Sequence, residues 1–133
     1  MEPRISIITL GVQDLERSVH FYQDGLGLPL QKGYEGQIAF FELSGTWLAL
    51  YPREALAADA NQHGEGEGFQ GFTLAHNVKT GENVDILIQQ AASAGGQIVK
   101  EPQKADWGGY SGYFKDPDGF LWEIAWNPYF EIE

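Results

Sequence analysis

The sequence predicts an α+β fold: two β-α-β-β-β modules in tandem, with curved mixed sheets around a concave cavity. Three observations predict it. Residues 41–52, Phe-Glu-Leu-Ser-Gly-Thr-Trp-Leu-Ala-Leu-Tyr-Pro, are answered by residues 114–128, Phe-Lys-Asp-Pro-Asp-Gly-Phe-Leu-Trp-Glu-Ile-Ala-Trp-Asn-Pro, each a strand, a Gly-bearing turn and a second strand. Each copy is preceded by a β-branched apolar run and then by an amphipathic helical stretch. Finally, units of roughly 50 residues bury too little surface to be secure alone, so fusion around a pseudo-twofold axis is the expected solution. Pairing Gly45 with Gly119 sets Ala49 opposite Glu123.

The elements follow in order. Residues 5–12 are β-branched and apolar and stop at Gln13-Asp14, a strand followed by a helix N-cap whose carboxylate accepts from the first turn. A helix begins at Leu15. Leu15, Val19, Tyr22 and Leu26 form one stripe at steps of four, three and four, with Glu16, Arg17, Gln23 and Asp24 on the other side. Gly25 and Gly27 offer left-handed stops. A short strand is expected near residues 28–33, then a hairpin of residues 37–43 and 47–51 turning at Ser44-Gly45.

The second module repeats the order. A strand over residues 72–78 leads to a helix from about residue 82 to 94, with Thr80 as cap and Gly95-Gly96 as stop. Strands then follow at residues 97–100, 110–115 and 120–126. Asp116-Pro117-Asp118-Gly119 joins the last two, placing Pro where φ is fixed and Gly where φ turns positive. Between the modules, residues 53–70 open with an Ala-rich helical stretch and end in His63-Gly64-Glu65-Gly66-Glu67-Gly68, an acidic, Gly-rich linker with the composition of a mobile segment or lid. The expected organisation is one domain over residues 1–133, with module one at about 5–52, the linker at about 53–70 and module two at about 71–128.

Composition narrows function. The 133 residues carry 8 basic and 19 acidic side chains, a net charge of -11, so phosphate backbones and anionic membrane surfaces are repelled at long range. No nucleic-acid or membrane partner is expected. An acidic body suits cationic ligands and equally serves solubility. With 43% hydrophobic and 14% aromatic residues the chain can fill a core and spare rings for a pocket. There is no Cys, which removes thiolate nucleophiles, disulfides and thiolate metal sites together. The opening Met-Glu-Pro-Arg lacks a signal-peptide apolar run, and no stretch approaches the ~20 apolar residues that span a bilayer, so a cytoplasmic location is expected.

Strand parity assigns the faces. Ile8, Leu10 and Val12 should meet the first helix, leaving Ile7, Thr9 and Gly11 on the concave side. Aligning Val78 with Val12 sends Phe72, Leu74 and His76 toward the helix and Thr73, Ala75 and Asn77 into the cavity. The hairpins add Trp47, Ala49 and Tyr51 from module one, and Leu121, Glu123 and Ala125 from module two. The expected cavity is apolar and small-lined, with one carboxylate. Glu123 has two readings: a base or anchor for a cationic or hydroxylated ligand, or a residue tied to Asn77, Tyr113 or a buried water. Trp107, in Trp107-Gly108-Gly109-Tyr110, either folds over the cavity mouth or packs on a partner subunit.

Two stretches, Val12-Gln13-Asp14-Leu15-Glu16-Arg17-Ser18-Val19-His20-Phe21-Tyr22 with Gly25-Leu26-Gly27, and Tyr113-Phe114-Lys115-Asp116-Pro117-Asp118-Gly119-Phe120-Leu121-Trp122-Glu123-Ile124-Ala125, carry a resemblance. The chain resembles the vicinal oxygen chelate superfamily of glyoxalase I, extradiol dioxygenases and bleomycin resistance proteins, over nearly its whole length. Metal-using relatives place ligands in the first and last strand of each half. Carried over, these positions fall on Ile7, Ala49, Thr73 (Phe72 if the alignment slips by one) and Glu123. Ile and Ala offer no lone pair, and a divalent cation wants about four to six donors, so no metal and no cofactor is expected there. His20, His63 and His76 are expected to be two solvated side chains and one hydrogen-bonded core residue.

What the resemblance implies is therefore a metal-free protein similar to the bleomycin resistance branch, sequestering a small aromatic or cationic molecule. Ile7, Thr9, Trp47, Ala49, Tyr51, Thr73, Ala75, Asn77, Trp107, Tyr113, Leu121 and Glu123 are the expected ligand-binding residues. The alternative is a glyoxalase-like lyase or isomerase, or a dioxygenase, with Glu123 as catalytic residue and a divalent metal as cofactor. The resemblance also implies a homodimer.

Overall fold

The computed structural model describes residues 1–129. The chain parts into two units, Met1–Gly68 and a second beginning at Phe69, and each carries one mixed sheet.

In the first unit, β1 (Ile7–Val12) runs into α1 (Leu15–His20). Asp14 ends the strand in extended conformation, and its Oδ1 accepts from Arg17 N at 3.1 Å, the cap its carboxylate predicts. The helix then widens into a π-turn, Phe21–Gly25, closed by a bond from Leu26 N to Phe21 O at 2.9 Å. β2 (Ala39–Glu42) and β3 (Trp47–Pro52) form the hairpin, with Gly45 at φ +94° in the turn. The strand order is β1-β3-β2, with β1 parallel to β3 and β2 antiparallel to it.

The strand expected at residues 28–33 is a correction. It shrinks to a single antiparallel bridge between Leu30 and Phe41. Pro29 has no donor for a ladder, and Gly33 and Gly36 sit at φ +91° and +87°, which ends the extended run on either side of Leu30.

The core of this unit lies between one sheet face and α1. Leu10, Val12, Leu48, Leu50, Ala39 and Phe41 point to that face and are almost wholly buried, as are Leu15, Val19, Phe21 and Tyr22 opposite them. Tyr22 meets Phe21 edge-on with centroids 5.0 Å apart, and Phe41 at 6.3 Å. The Ala-rich start of the linker is α2 (Arg53–Asp59). It packs so closely on β1 that a Cβ at Gly11 would lie 3.2 Å from the Arg53 Cα. Arg53 Nε also donates to Gly64 O, folding residues 60–64 back onto α2.

In the second unit β4 (Leu74–Val78) is followed by α3 (Gly81–Ser93), then β5 (Gln97–Lys104), β6 (Tyr110–Lys115) and β7 (Leu121–Trp126). Thr80 caps α3, its Oγ1 accepting from Asn83 N at 3.1 Å. The sheet order is β4-β7-β6-β5, with β4 parallel to β7 and the other pairs antiparallel. Val84, Ile88 and Ala91, at steps of four and three, bury one stripe of α3 against Phe114 and Ile124. Phe114 and Trp122 lie parallel, centroids 6.2 Å apart.

The β6–β7 turn is held from inside. The buried Asp116 accepts through Oδ1 from Asp118 N at 2.9 Å and Phe120 N at 2.8 Å, and Gly119 turns at φ +90°. β4 begins at Leu74, so Phe72 and Thr73 precede the strand. His76, expected in the core, is exposed: α3 lies over β5, β6 and β7 and reaches little of edge strand β4.

Candidate functional site

The two sheets repeat one register. In the first unit Thr9 pairs with Ala49 across the parallel strands, and Ala49 pairs with Phe40 across the hairpin. In the second unit Ala75 pairs with Glu123, and Glu123 pairs with Tyr113. The equivalence of Ala49 and Glu123 thus holds strand by strand. All six residues lie on the sheet face turned away from α1 or α3, by the alternation along each strand.

On that face of the first unit, Ile7 is exposed at the end of β1 and Thr9 is half-buried. Trp47 is also half-buried, and its ring meets the Phe40 ring at 66° with centroids 6.2 Å apart. Ala49, flanked by Phe40 across the hairpin and Trp47 along its own strand, is 0% exposed. It is therefore wall filler with no free surface. Tyr51 is half-buried beside Gly11, its pairing partner. Phe40 is the residue that sequence reading missed; the signal was its place directly across from Ala49.

On the same face of the second unit, Glu123, Leu121 and Asn77 are half-buried and Ala75 is exposed. Tyr113 stands directly across from Glu123 in the β6–β7 ladder. The Tyr113 phenol is held above its ordinary value, first by burial, then by the neighbouring Glu123 carboxylate. Thr73 lies just before β4 and is exposed. Trp107 lies elsewhere along the chain from this pair: its ring covers Gly109, where a Cβ would collide with it, and the residue is 46% exposed.

The donor set for a metal is poor. Of the four positions where the resemblance places ligands, Ile7 and Ala49 end in carbon, Thr73 offers a neutral hydroxyl, and Glu123 alone offers a carboxylate. Among the described residues no group of three or more His, Asp and Glu side chains is placed to hold an ion. All three His are exposed, and His20 is engaged through Nδ1 with Asp24 Oδ2 at 2.7 Å. A divalent ion asks for about four or more N or O donors, so these residues do not fit one. The first unit's face offers aromatic rings, and the second unit's face offers a phenol opposite a carboxylate.

Comparison with known proteins places this geometry. Residues 4–124 match the sequence model described as Glyoxalase/Bleomycin resistance protein/Dioxygenase superfamily. The chain is 33% identical over 122 residues to protein YraH of Bacillus subtilis (strain 168), covering 88% of this chain and 93% of that one. It is 32% identical over 117 residues to the glutathione transferase FosA of Serratia marcescens, covering 88% and 76%. Among solved structures, a glyoxalase-related enzyme from Fulvimarina pelagi superposes with a TM-score of 0.91 at 34% identity, covering 98% of this chain and 93% of the other.

Proposed function

Since the chain belongs to the glyoxalase/bleomycin resistance protein/dioxygenase superfamily, we propose that it is a metal-free member that binds and sequesters a small molecule, as bleomycin resistance proteins do. The observation that carries this reading is the lone carboxylate of Glu123. It faces Tyr113 across the strand pair, while its equivalent in the other unit is the fully buried Ala49. A site with one carboxylate is suited to anchor a cationic or hydroxylated ligand and ill suited to enclose an ion.

In this reading Glu123, Tyr113, Asn77, Ala75, Leu121 and Thr73 offer a polar ligand face on the second unit. On the first unit, Thr9, Trp47, Tyr51 and Ile7, with Ala49 as filler, offer an aromatic and apolar one. An aromatic contact adds about 1 kcal/mol, more where the ligand is cationic. One domain, a homodimer and a cytoplasmic location belong to the same proposal.

The second reading is a glyoxalase-like lyase or isomerase, or a dioxygenase, using Glu123 with a divalent metal. It is favoured by the name of one relative, the lactoylglutathione lyase GLX1 of Arabidopsis thaliana, 25% identical over 116 residues. Elemental analysis of protein purified without chelator separates the two. Stoichiometric Ni, Zn, Fe or Mn overturns the metal-free reading. Its absence after metal soaking, together with quenching of Trp fluorescence by cationic aromatic compounds that is weakened in Glu123→Gln, supports it.

A further inference from the structure

A cleft of about 420 Å³ opens in the second unit on the opposite sheet face from Glu123, within the roughly 300–1,000 Å³ range of small-molecule pockets. Its floor follows from strand register. Trp126 pairs with Tyr110, and Tyr110 pairs with Lys104, so two aromatic rings and an ammonium stand in one row across three strands. The rings are half-buried and the lysine is exposed.

The roof is the first turn of α3. Gly81 lets the Tyr110 ring pass beneath it, since a Cβ there would lie 3.3 Å from that ring. Asp85, one turn on, accepts from the Tyr110 hydroxyl at 2.7 Å. The end wall is the loop after β5. Ala105 N donates to Gly109 O at 2.9 Å and Gly108 N donates to Ala105 O at 3.0 Å, while the Trp107 ring lies on Gly109. The wall is therefore preformed.

The cleft has three features: a flat aromatic floor, a cation at one end of the row and a carboxylate overhead. The Tyr110 hydroxyl occupies one lone pair of Asp85 and leaves its negative charge in place, and Lys104 carries the opposite charge on another wall. We propose that this cleft is a second binding site, for a small aromatic molecule bearing both an ammonium and a carboxylate, such as an aromatic α-amino acid. The ring lies along Trp126 and Tyr110, the carboxylate meets Lys104, and the ammonium meets Asp85. Nothing in this assignment depends on the function proposed for the Glu123 face.

The probes are L-phenylalanine, phenylacetate and phenethylamine, titrated into the full chain and followed by amide and indole NMR shifts. L-Phenylalanine is expected to move the amides of Gly81, Gly108 and Gly109 and the Trp126 indole, and each single-charge probe to bind about tenfold more weakly. Lys104→Ala should erase the advantage of phenylalanine over phenethylamine. Asp85→Asn, which keeps an acceptor for Tyr110, should erase its advantage over phenylacetate. Both residues are exposed, and the same spectra report whether each variant is folded. The proposal is overturned by no shifts at these amides up to about 20 mM phenylalanine, by shifts confined to Tyr113 and Glu123, or by folded variants that keep the wild-type preference.

Discussion

Tyr113 and Glu123 stand directly opposite each other on β6 and β7, and this pair makes the protein's polar face sensitive to pH. Burial first, then the neighbouring carboxylate, raises the Tyr113 phenol above its ordinary value, which is about 10. A raised pKa means the folded chain holds this proton more tightly than the unfolded chain. The contribution is therefore complete below about pH 10 and is lost as pH rises through the folded value. Tyrosinate absorbance, taken as wild type minus Tyr113→Phe, should place this phenol above an ordinary tyrosine. In Glu123→Gln it should titrate lower, because the charge is gone; an unchanged midpoint would mean that burial alone sets it. Gly109 makes a steric prediction at the same scale. A Cβ there would strike the Trp107 ring and lie 2.7 Å from Trp126 O, so Gly109→Ala should cost about 1–3 kcal/mol in urea unfolding. Adding Trp107→Ala should recover only part, since the carbonyl remains.

Among the elements, α3 depends on its cap. Thr80→Ala removes the acceptor for Asn83 N and should lower stability by about 1 kcal/mol in thermal unfolding, whereas Thr80→Ser should be nearly silent. How legible each element was depended on how local its causes are. Asp14, Thr80 and the turns at Gly45 and Gly119 act through bonds within a few residues, and each appears where the sequence implied. The stripe of Leu15, Val19 and Tyr22 was legible from its spacing, but Phe21 was not. Successive residues on an α-helix lie about 100° apart, so Phe21 and Tyr22 can hardly both face one core. The π-turn beginning there resets the phase, and both rings are buried. The strand expected at residues 28–33 failed because alternation was read without weighing Pro29, Gly33 and Gly36. His76 was misplaced because strand parity gives a face and says nothing of how far a helix extends across it. The same limit applies to the Glu123 face: Phe40 became visible only once its strand was paired with β3.

For the whole molecule the leading quantity is charge. A net of -11 surrounds any ligand with a negative field that salt screens over about 10 Å at 0.1 M. Binding of a cationic aromatic compound to the Glu123 face should therefore weaken several-fold between about 20 mM and 300 mM NaCl, read from the salt dependence of Trp fluorescence quenching. Salt-independent affinity would mean that contact chemistry alone attracts the ligand. The repeated register has a different consequence, one of exchange. Phe40 and Ala49 in the first unit occupy the places of Tyr113 and Glu123 in the second. The two faces differ at both members of one cross-strand pair, ring and methyl in one and phenol and carboxylate in the other. Either member changed alone sets a polar group beside an apolar one. Converting one kind of face into the other is thus a change of the pair, made by a double substitution.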